Sequence, residues 1–381
     1  MGAFALMPKA GRGFLFLAAA AAWAVLAGCQ TPKSASGTIK VGVILPLTGD
    51  GAALGSDCRN GIELAADEFR SLHTTPRAQV DYEDSQGRAE MAISAFNKLR
   101  AGGAQAIIGD LFSGPTLAIA PLAERYRILV FSPGASNPKL AGMSKYVFRN
   151  YPSDNLEGKL IAKLIRERGY SRIAVLYPTD DYGVGLKGVF ESQFGDRGAS
   201  VVFSEGYADN ETNFRNLLTK AKQNRPDAFY LPGYYKSIAL LAVQLRGLGL
   251  NQPLFSNIGA EDPQLVAVGG QAVEAMTYTA PDIDFKSSDP IIAAFTATYT
   301  KRFGKGPGFP AAHGYDTAKL LLPLIAENGA DADKLRAALL QVDFQGVTGR
   351  MHFTAQGDVV KAFAVKTVKN GAFVFEGRIS L

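Results

Sequence analysis

The sequence predicts an α/β protein of two doubly wound, Rossmann-like lobes joined by three crossover segments, with a ligand cleft between them. Three observations carry that reading. From Ile39 onward, short apolar runs alternate with stretches of helical spacing in βαβαβαβ order, which implies a mostly parallel sheet with helices on both faces. The pattern breaks at the polar, proline-bearing run Asn150-Tyr151-Pro152-Ser153-Asp154 and then restarts. A chain of 381 residues, 47% of them hydrophobic, is long enough for two domains and apolar enough for two cores.

The N-terminus reads as a leader. Lys9 and Arg12 precede an apolar run over residues 14–25, and Leu26-Ala27-Gly28-Cys29 follows, the pattern of a secretory signal. The apolar run is short of the roughly 20 residues that a membrane span needs. Its ending resembles a bacterial lipobox, which implies cleavage before Cys29 and diacylation of the Cys29 thiol. Residues 1–28 are therefore expected to be a lipoprotein signal peptide and 29–37 a polar tether. With Cys29 lipidated, Cys58 is the only other cysteine, so no intrachain disulfide can form, and Cys58 is expected to be a small buried hydrophobe.

The first lobe starts with a strand at 39–45 and a helix at 60–70, where Ile62, Leu64, Ala65, Ala66 and Phe69 share a face. A strand at 79–83 and a helix at 90–99 follow. Next comes the stretch that organises the chain. Apolar strands at 106–108 and 128–131 each run into a small-residue loop, Gly109-Asp110-Leu111-Phe112-Ser113-Gly114-Pro115 and Ser132-Pro133-Gly134-Ala135-Ser136-Asn137-Pro138, with a helix at 116–127 between them. In an open α/β sheet such loops stand at the carboxyl ends of strands, where ligands bind. Ser113 is placed to cap the helix after it, and a capped helix start with free N–H groups is a ready anion site.

The second lobe repeats the plan: helices at 156–168, 182–194, 214–223 and 235–248 alternate with strands at 173–177, 200–204, 228–231, 254–256 and 276–279. Ala280-Pro281-Asp282 reads as a second crossing, and helices at 291–303, 315–328 and 333–340 as packing back on the first lobe. Residues 346–350 read as the third crossing, before closing strands at 351–353, 362–368 and 373–375. This gives a first lobe of 38–150 plus 281–346 and a second of 151–280 plus 347–381.

Enzyme chemistry finds few residues to run it. Gly49-Asp50-Gly51-Ala52-Ala53-Leu54-Gly55, with Glu83 and Asp84 ending the next strand, has the outline of a dinucleotide fingerprint. Pro46, Leu47 and Thr48 separate it from the strand, however, whereas the fingerprint needs its tight turn at the strand end. His73, His313 and His352 lie in different elements without ligand spacing, so neither a metal nor a cofactor is expected. A formal net charge of +5, part of it in the leader, is too mild to imply nucleic acid. Tyr182, beyond one strand end of the second lobe, and Tyr234 with Tyr235, beyond another, offer apolar faces with hydrogen-bonding tips at the rim.

Several motifs together resemble one family. Val43-Ile44-Leu45-Pro46-Leu47-Thr48-Gly49, Ser132 to Pro138, Tyr146-Val147-Phe148-Arg149, Asp181-Tyr182-Gly183-Val184-Gly185-Leu186 and Gly233-Tyr234-Tyr235 fall in the order of the leucine/isoleucine/valine-binding class of periplasmic solute-binding proteins. These are the receptors of amino-acid ABC importers. The resemblance implies that Ser113 meets a ligand carboxylate and that Ser136 holds the same ligand head, beside Ala135. It implies that the Gly134 carbonyl accepts from an ammonium, that Tyr182 and Tyr234 close over the ligand, and that Leu54 packs on its side chain. One departure stands out: Ile258 occupies the position of the family's ammonium-binding acid, with Glu261 and Asp262 near but off register. A carboxylate without an amine, or an amide, then fits as well as an amino acid.

The function expected is a non-enzymatic, lipid-anchored receptor, monomeric and facing the periplasm or outside, that passes a small solute to ABC permease subunits. The alternative is a lipoprotein of the same fold that serves as a regulatory partner of a cell-wall synthase.

Overall fold

The computed structural model describes residues 37–195, 198–208 and 210–381. The expected signal peptide, the expected tether as far as residue 36, and Cys29 lie outside the described residues.

The chain opens with β1 (Thr38–Leu45), α1 (Ala52–Leu72), β2 (Arg77–Asp84), α2 (Ala89–Ala101), β3 (Ala106–Gly109), α3 (Ser113–Tyr126), β4 (Leu129–Ser132) and β5 (Val147–Arg149). These strands pair in parallel in the order β2-β1-β3-β4-β5. The helices cover both faces, and the buried runs Val43-Ile44-Leu45 and Ala106-Ile107-Ile108 read as near-continuous apolar stretches because both faces of the sheet are covered. Cys58 is fully buried in the core between α1 and this sheet.

The second sheet is built from α4 (Asp154–Glu167), β6 (Arg172–Pro178), α5 (Asp181–Phe194), β7 (Ser200–Tyr207), α6 (Arg215–Gln223), β8 (Ala228–Tyr230), α7 (Tyr235–Gly247), β9 (Leu254–Ser256), α8 (Pro263–Gly269) and β10 (Thr277–Pro281). The chain then returns to the first core through α9 (Pro290–Phe303), α10 (Phe309–Asn328) and α11 (Ala332–Leu339). A hairpin of β11 (Phe344–Gly346) and β12 (Gly349–Met351) follows, and β13 (Phe363–Lys369) and β14 (Ala372–Ile379) complete the second sheet in the order β14-β13-β10-β9-β8-β6-β7.

The fold differs from the sequence reading at the start of α1 and at the third crossing. Helix α1 begins at Ala52, eight residues before Asn60, so the glycine run is the start of a helix. Gly55 lies so close to β1's exit that a Cβ there would stand 2.0 Å from the Pro46 carbonyl oxygen. The Asp84 carboxylate pins the intervening loop, accepting from Leu47 N–H at 2.8 Å and from the Thr48 hydroxyl at 2.5 Å. Residues 346–350 are no crossing: Gly346 and Gly349 face each other across the tight turn of the β11–β12 hairpin. Val347, Met351, Phe353 and Val359 all belong to the first core. The chain leaves for the second sheet only after Val359, and Lys361 stands in that passage with its Nζ on the Asn150 Oδ1 at 2.6 Å and the Thr348 Oγ1 at 2.5 Å.

Helix α1 packs on α10 so closely that a Cβ on Gly61 would lie 2.0 Å from the Ala311 carbonyl oxygen. Gly61→Ala should therefore destabilise the protein by about 1–3 kcal/mol or more. Gly188, on the exposed face of α5, has nothing within 4 Å of its Cβ position, so Gly188→Ala should stabilise by up to about 1 kcal/mol. Denaturant melts of the two variants check both signs.

Candidate functional site

The loops after β3 and β4 meet at one side chain. Ser113 Oγ accepts from the backbone N–H of Ser136 at 3.3 Å and of Asn137 at 3.2 Å. Ser113 is thus the first residue of α3 rather than its cap, which is Phe112, held instead by the Asp110 carboxylate at 2.8 Å from its N–H. The Ser132 hydroxyl donates to the Asp110 carbonyl at 2.7 Å and accepts from Ala135 N–H at 2.9 Å, locking the second loop beneath the first. With two N–H groups already on its oxygen, Ser113 has its own hydrogen left to donate, beside the unpaired N–H groups of a helix start.

Ser113 faces a cavity of about 50 Å³, by the measure in which one water needs roughly 10–15 Å³. Its first-lobe wall is Leu54, Leu111, Phe112, Ser113, Gly134 and Ser136. The opposite wall is Tyr182, Tyr234, Tyr235, Ile258, Gly259, Glu261 and Asp262, with Tyr151 and Phe309 at the end nearest the passages. Leu54, Phe112, Ser113, Tyr234 and Tyr235 also line a wider cleft outside it, which includes Asp50 and Lys236. Phe112 and Tyr182 each stand 5.4 Å, centroid to centroid, from Tyr234, so aromatic rings run from one wall to the other. Tyr234 donates its hydroxyl to Asp180 at 3.1 Å, and the Tyr182 hydroxyl meets the Asn257 amide. Across the cleft mouth, Lys236 pairs with Asp50 at 3.0 Å, and the Asn137 amide donates to the Asp181 carbonyl.

Leu54, Ser113, Gly134, Ser136, Tyr182, Tyr234 and Ile258 thus share one cavity. Ala135 does not join them: its N–H is spent on Ser132, and its methyl is fully buried in the core of the first lobe. The sequence reading gave no ligand role to Leu111, Phe112, Tyr151 and Phe309, and it placed Tyr235 at the rim without assigning it a contact. Phe112 could have been found from its place next to Ser113, whereas Phe309 comes from a helix some 200 residues away with no local signal. Glu261, set aside as off register, lines the cavity, but Lys366 holds it at 2.8 Å. Asp262 caps α8, accepting from Gln264 N–H at 2.8 Å.

Two acids stand behind the cavity wall on the first turn of α4. Glu157 is fully buried and accepts from the Thr279 hydroxyl at 3.3 Å and the Tyr151 hydroxyl at 3.4 Å. Burial, with the Asp154 charge adding to it, holds its carboxyl well above the usual carboxylate range. Asp154 is equally buried; its N–H donates to the Ser136 carbonyl at 2.9 Å, and neither carboxyl oxygen makes a hydrogen bond of normal geometry. Burial pushes Asp154 up to about 7, against the lowering effects of the Ser136 hydroxyl and Arg149.

These acids set a pH dependence. Between its unfolded value near 4 and its folded value of about 7, Asp154 is protonated in the folded chain and ionised in the unfolded one. The folded state then binds more protons, and this group's contribution to stability falls as pH rises through that window. Asp154→Asn should be close to neutral at pH 4 and gain on the unsubstituted protein up to pH 7, by on the order of 2–4 kcal/mol. Parallel urea titrations at pH 4, 5.5 and 7 check this; a gap that closes with rising pH would contradict it.

The comparisons follow the same architecture. A family model described as a periplasmic binding protein matches residues 38–372. The chain is 26% identical over 340 residues to a leucine-, isoleucine-, valine-, threonine- and alanine-binding protein of Pseudomonas aeruginosa, covering 88% of this chain and 90% of that one. A leucine-binding protein of Thermotoga maritima superposes with a TM-score of 0.84 at 31% identity, over 90% of this chain and 99% of the other. A solute-binding protein from R. palustris in complex with benzoate superposes with a TM-score of 0.82 over 90% of this chain and 96% of the other, and at 20% identity it shows a shared fold alone. No helix among the described residues is long and apolar enough to cross a membrane. The family match runs unbroken from β1 to the start of β14 and so takes in both sheets and every passage between them: the chain belongs to the periplasmic binding protein family, whose members bind solutes rather than transform them.

Proposed function

We propose that this chain is the substrate-binding lipoprotein of an ABC importer, tethered through Cys29, and that it captures a small carboxylate-bearing solute by closing its two lobes. The observation that carries the proposal is the Ser113 hydroxyl, held by two backbone N–H groups at a helix start and facing a cavity between the lobes. A carboxylate there takes the Ser113 hydrogen and the free N–H groups of α3, while the helix dipole favours its charge. Ser136 donates to the same carboxylate, and the Gly134 carbonyl accepts from a donor beside it where the solute carries one. Leu54, Tyr182, Tyr234 and Ile258 enclose its tail, and closure bends the passages near Tyr151, Pro281 and Lys361. The permease receives the closed form. The related proteins named above include a leucine-binding protein and a benzoate complex, so the fold itself accommodates acids with and without an amine.

A thermal-shift panel of amino acids, amides and carboxylic acids tests the reading, since a ligand at 100 times its Kd adds about 2.7 kcal/mol to folding stability. At least one carboxylate should raise the Tm. A flat panel would favour the regulatory partner of a cell-wall synthase. Ser113→Ala should weaken carboxylate binding by about 1.5–3 kcal/mol. It should also cost about 1–2 kcal/mol of stability without ligand, because two buried N–H groups lose their acceptor. Calorimetry on the folded variant checks the first figure, and unchanged affinity would remove Ser113 from the ligand.

A further inference from the structure

The wall opposite Ser113 carries an acid whose charge is already taken. Glu261 lines the cavity, yet Lys366 Nζ donates to both of its oxygens, at 2.8 and 2.9 Å, and the Tyr278 hydroxyl adds a further bond to Oε2 at 2.9 Å. The sheet builds this arrangement. Tyr278 of β10 and Lys366 of β13 are register partners in an antiparallel pair, so their side chains stand together on one face and reach the same carboxylate. Lys366 spends its remaining hydrogen on the Ile283 carbonyl at 3.2 Å, so its three donors are all committed. The pair is largely out of water, with side chains 10% and 20% exposed, where a charge interaction is screened little.

We propose that Lys366 sets the solute class: by neutralising Glu261 it makes the cavity accept a carboxylic acid with an apolar tail and no α-ammonium. The inference rests on the carboxylate site proposed at Ser113. An ammonium entering this cavity would have to share Glu261 with a lysine ammonium already bonded to both oxygens. Its other choices are poor: the Gly134 carbonyl is an acceptor on the wall but carries no countercharge. Asp262, the only other charged residue on the wall among the described residues, accepts the Gln264 N–H through Oδ1 in capping α8. Ile258 is apolar and 6% exposed. Asp154 stands behind Ser136 rather than on the wall, and an anion bound at Ser136 would favour its protonated form. An acid without an amine meets none of these costs, and its tail finds Leu54, Phe112, Tyr182, Tyr234 and Phe309.

Calorimetry with two matched pairs, 4-methylpentanoate against leucine and 3-phenylpropanoate against phenylalanine, tests this on the unsubstituted chain and on Lys366→Met. The unsubstituted chain should bind the acid of at least one pair tenfold or more tighter than its amino acid. Lys366→Met frees Glu261 and should reverse that preference. Should Lys366→Met fail to fold, Glu261→Gln removes the carboxylate, leaves the lysine charge behind the wall unneutralised and should widen the preference for the acid. Tighter binding of the amino acids, unchanged in ratio by either substitution, would overturn the inference while leaving the carboxylate site standing. Binding of none of the four, or binding indifferent to Ser113→Ala, would overturn the carboxylate site and the inference with it.

Discussion

Two backbone N–H groups converging on the Ser113 hydroxyl hold the site together, and much of the molecule is tied to the loop that supplies them. Asn137 gives its N–H to Ser113 and its side-chain amide to the Asp181 carbonyl of the opposite lobe, while its own carbonyl accepts from Arg149 Nη1 at 2.9 Å. Arg149 is buried at the start of the first passage and pairs at 2.7 Å with Asp358, just before the third. Asn137 alone therefore links Ser113, the first passage and the facing lobe. Removing one partner of such a buried pair costs about 3–5 kcal/mol, so the loop is costly to disturb at Arg149.

The region between the lobes is polar where each lobe's interior is apolar. Asn150 donates to the His313 carbonyl at 3.0 Å and accepts from Lys361, and Asp316 takes the N–H groups of Val347 and Thr348 at 3.0 and 2.7 Å. Burial pushes Lys361 down to about 7, with Asp316 opposing the shift. Directional bonds of this kind fix one arrangement of the three passages, beside a small apolar cluster of Tyr151, Ile258, Tyr278 and Ala280 against which Phe309 packs. Each lobe can then move as a body while its own packing stays intact. The cavity lies where this polar seam meets the aromatic bridge of Phe112, Tyr234 and Tyr182.

Much of this was legible in the sequence, because a buried parallel strand announces itself as an apolar run and the small-residue loops mark the strand ends. Seven of the proposed site residues line one cavity: Ser113, Gly134, Ser136, Tyr182 and Tyr234 were placed by strand ends, Leu54 and Ile258 by the family resemblance. What failed was local geometry. The G-x-G run of 49–55 hid a helix start, because close packing on Pro46 selects glycine as readily as a phosphate does. Gly346 and Gly349 suggested a loose crossing and instead make a hairpin turn, and the true passage at Lys361 carries no turn chemistry at all. Ser113 looked like a cap because spacing cannot show that its acceptor capacity is used by another loop. Ala135 sat between two cavity residues, yet successive residues there point apart. Glu261 was invisible as a wall residue because counting register through a loop ignores the 3-10 turn at Ile258–Ala260.

The central claim is that two rigid lobes close on a small carboxylate, and small-angle X-ray scattering reads that motion directly. Adding a carboxylate that raises the Tm, at saturation, should lower the radius of gyration. Identical curves with and without that solute, at a concentration where calorimetry shows the site filled, would contradict it.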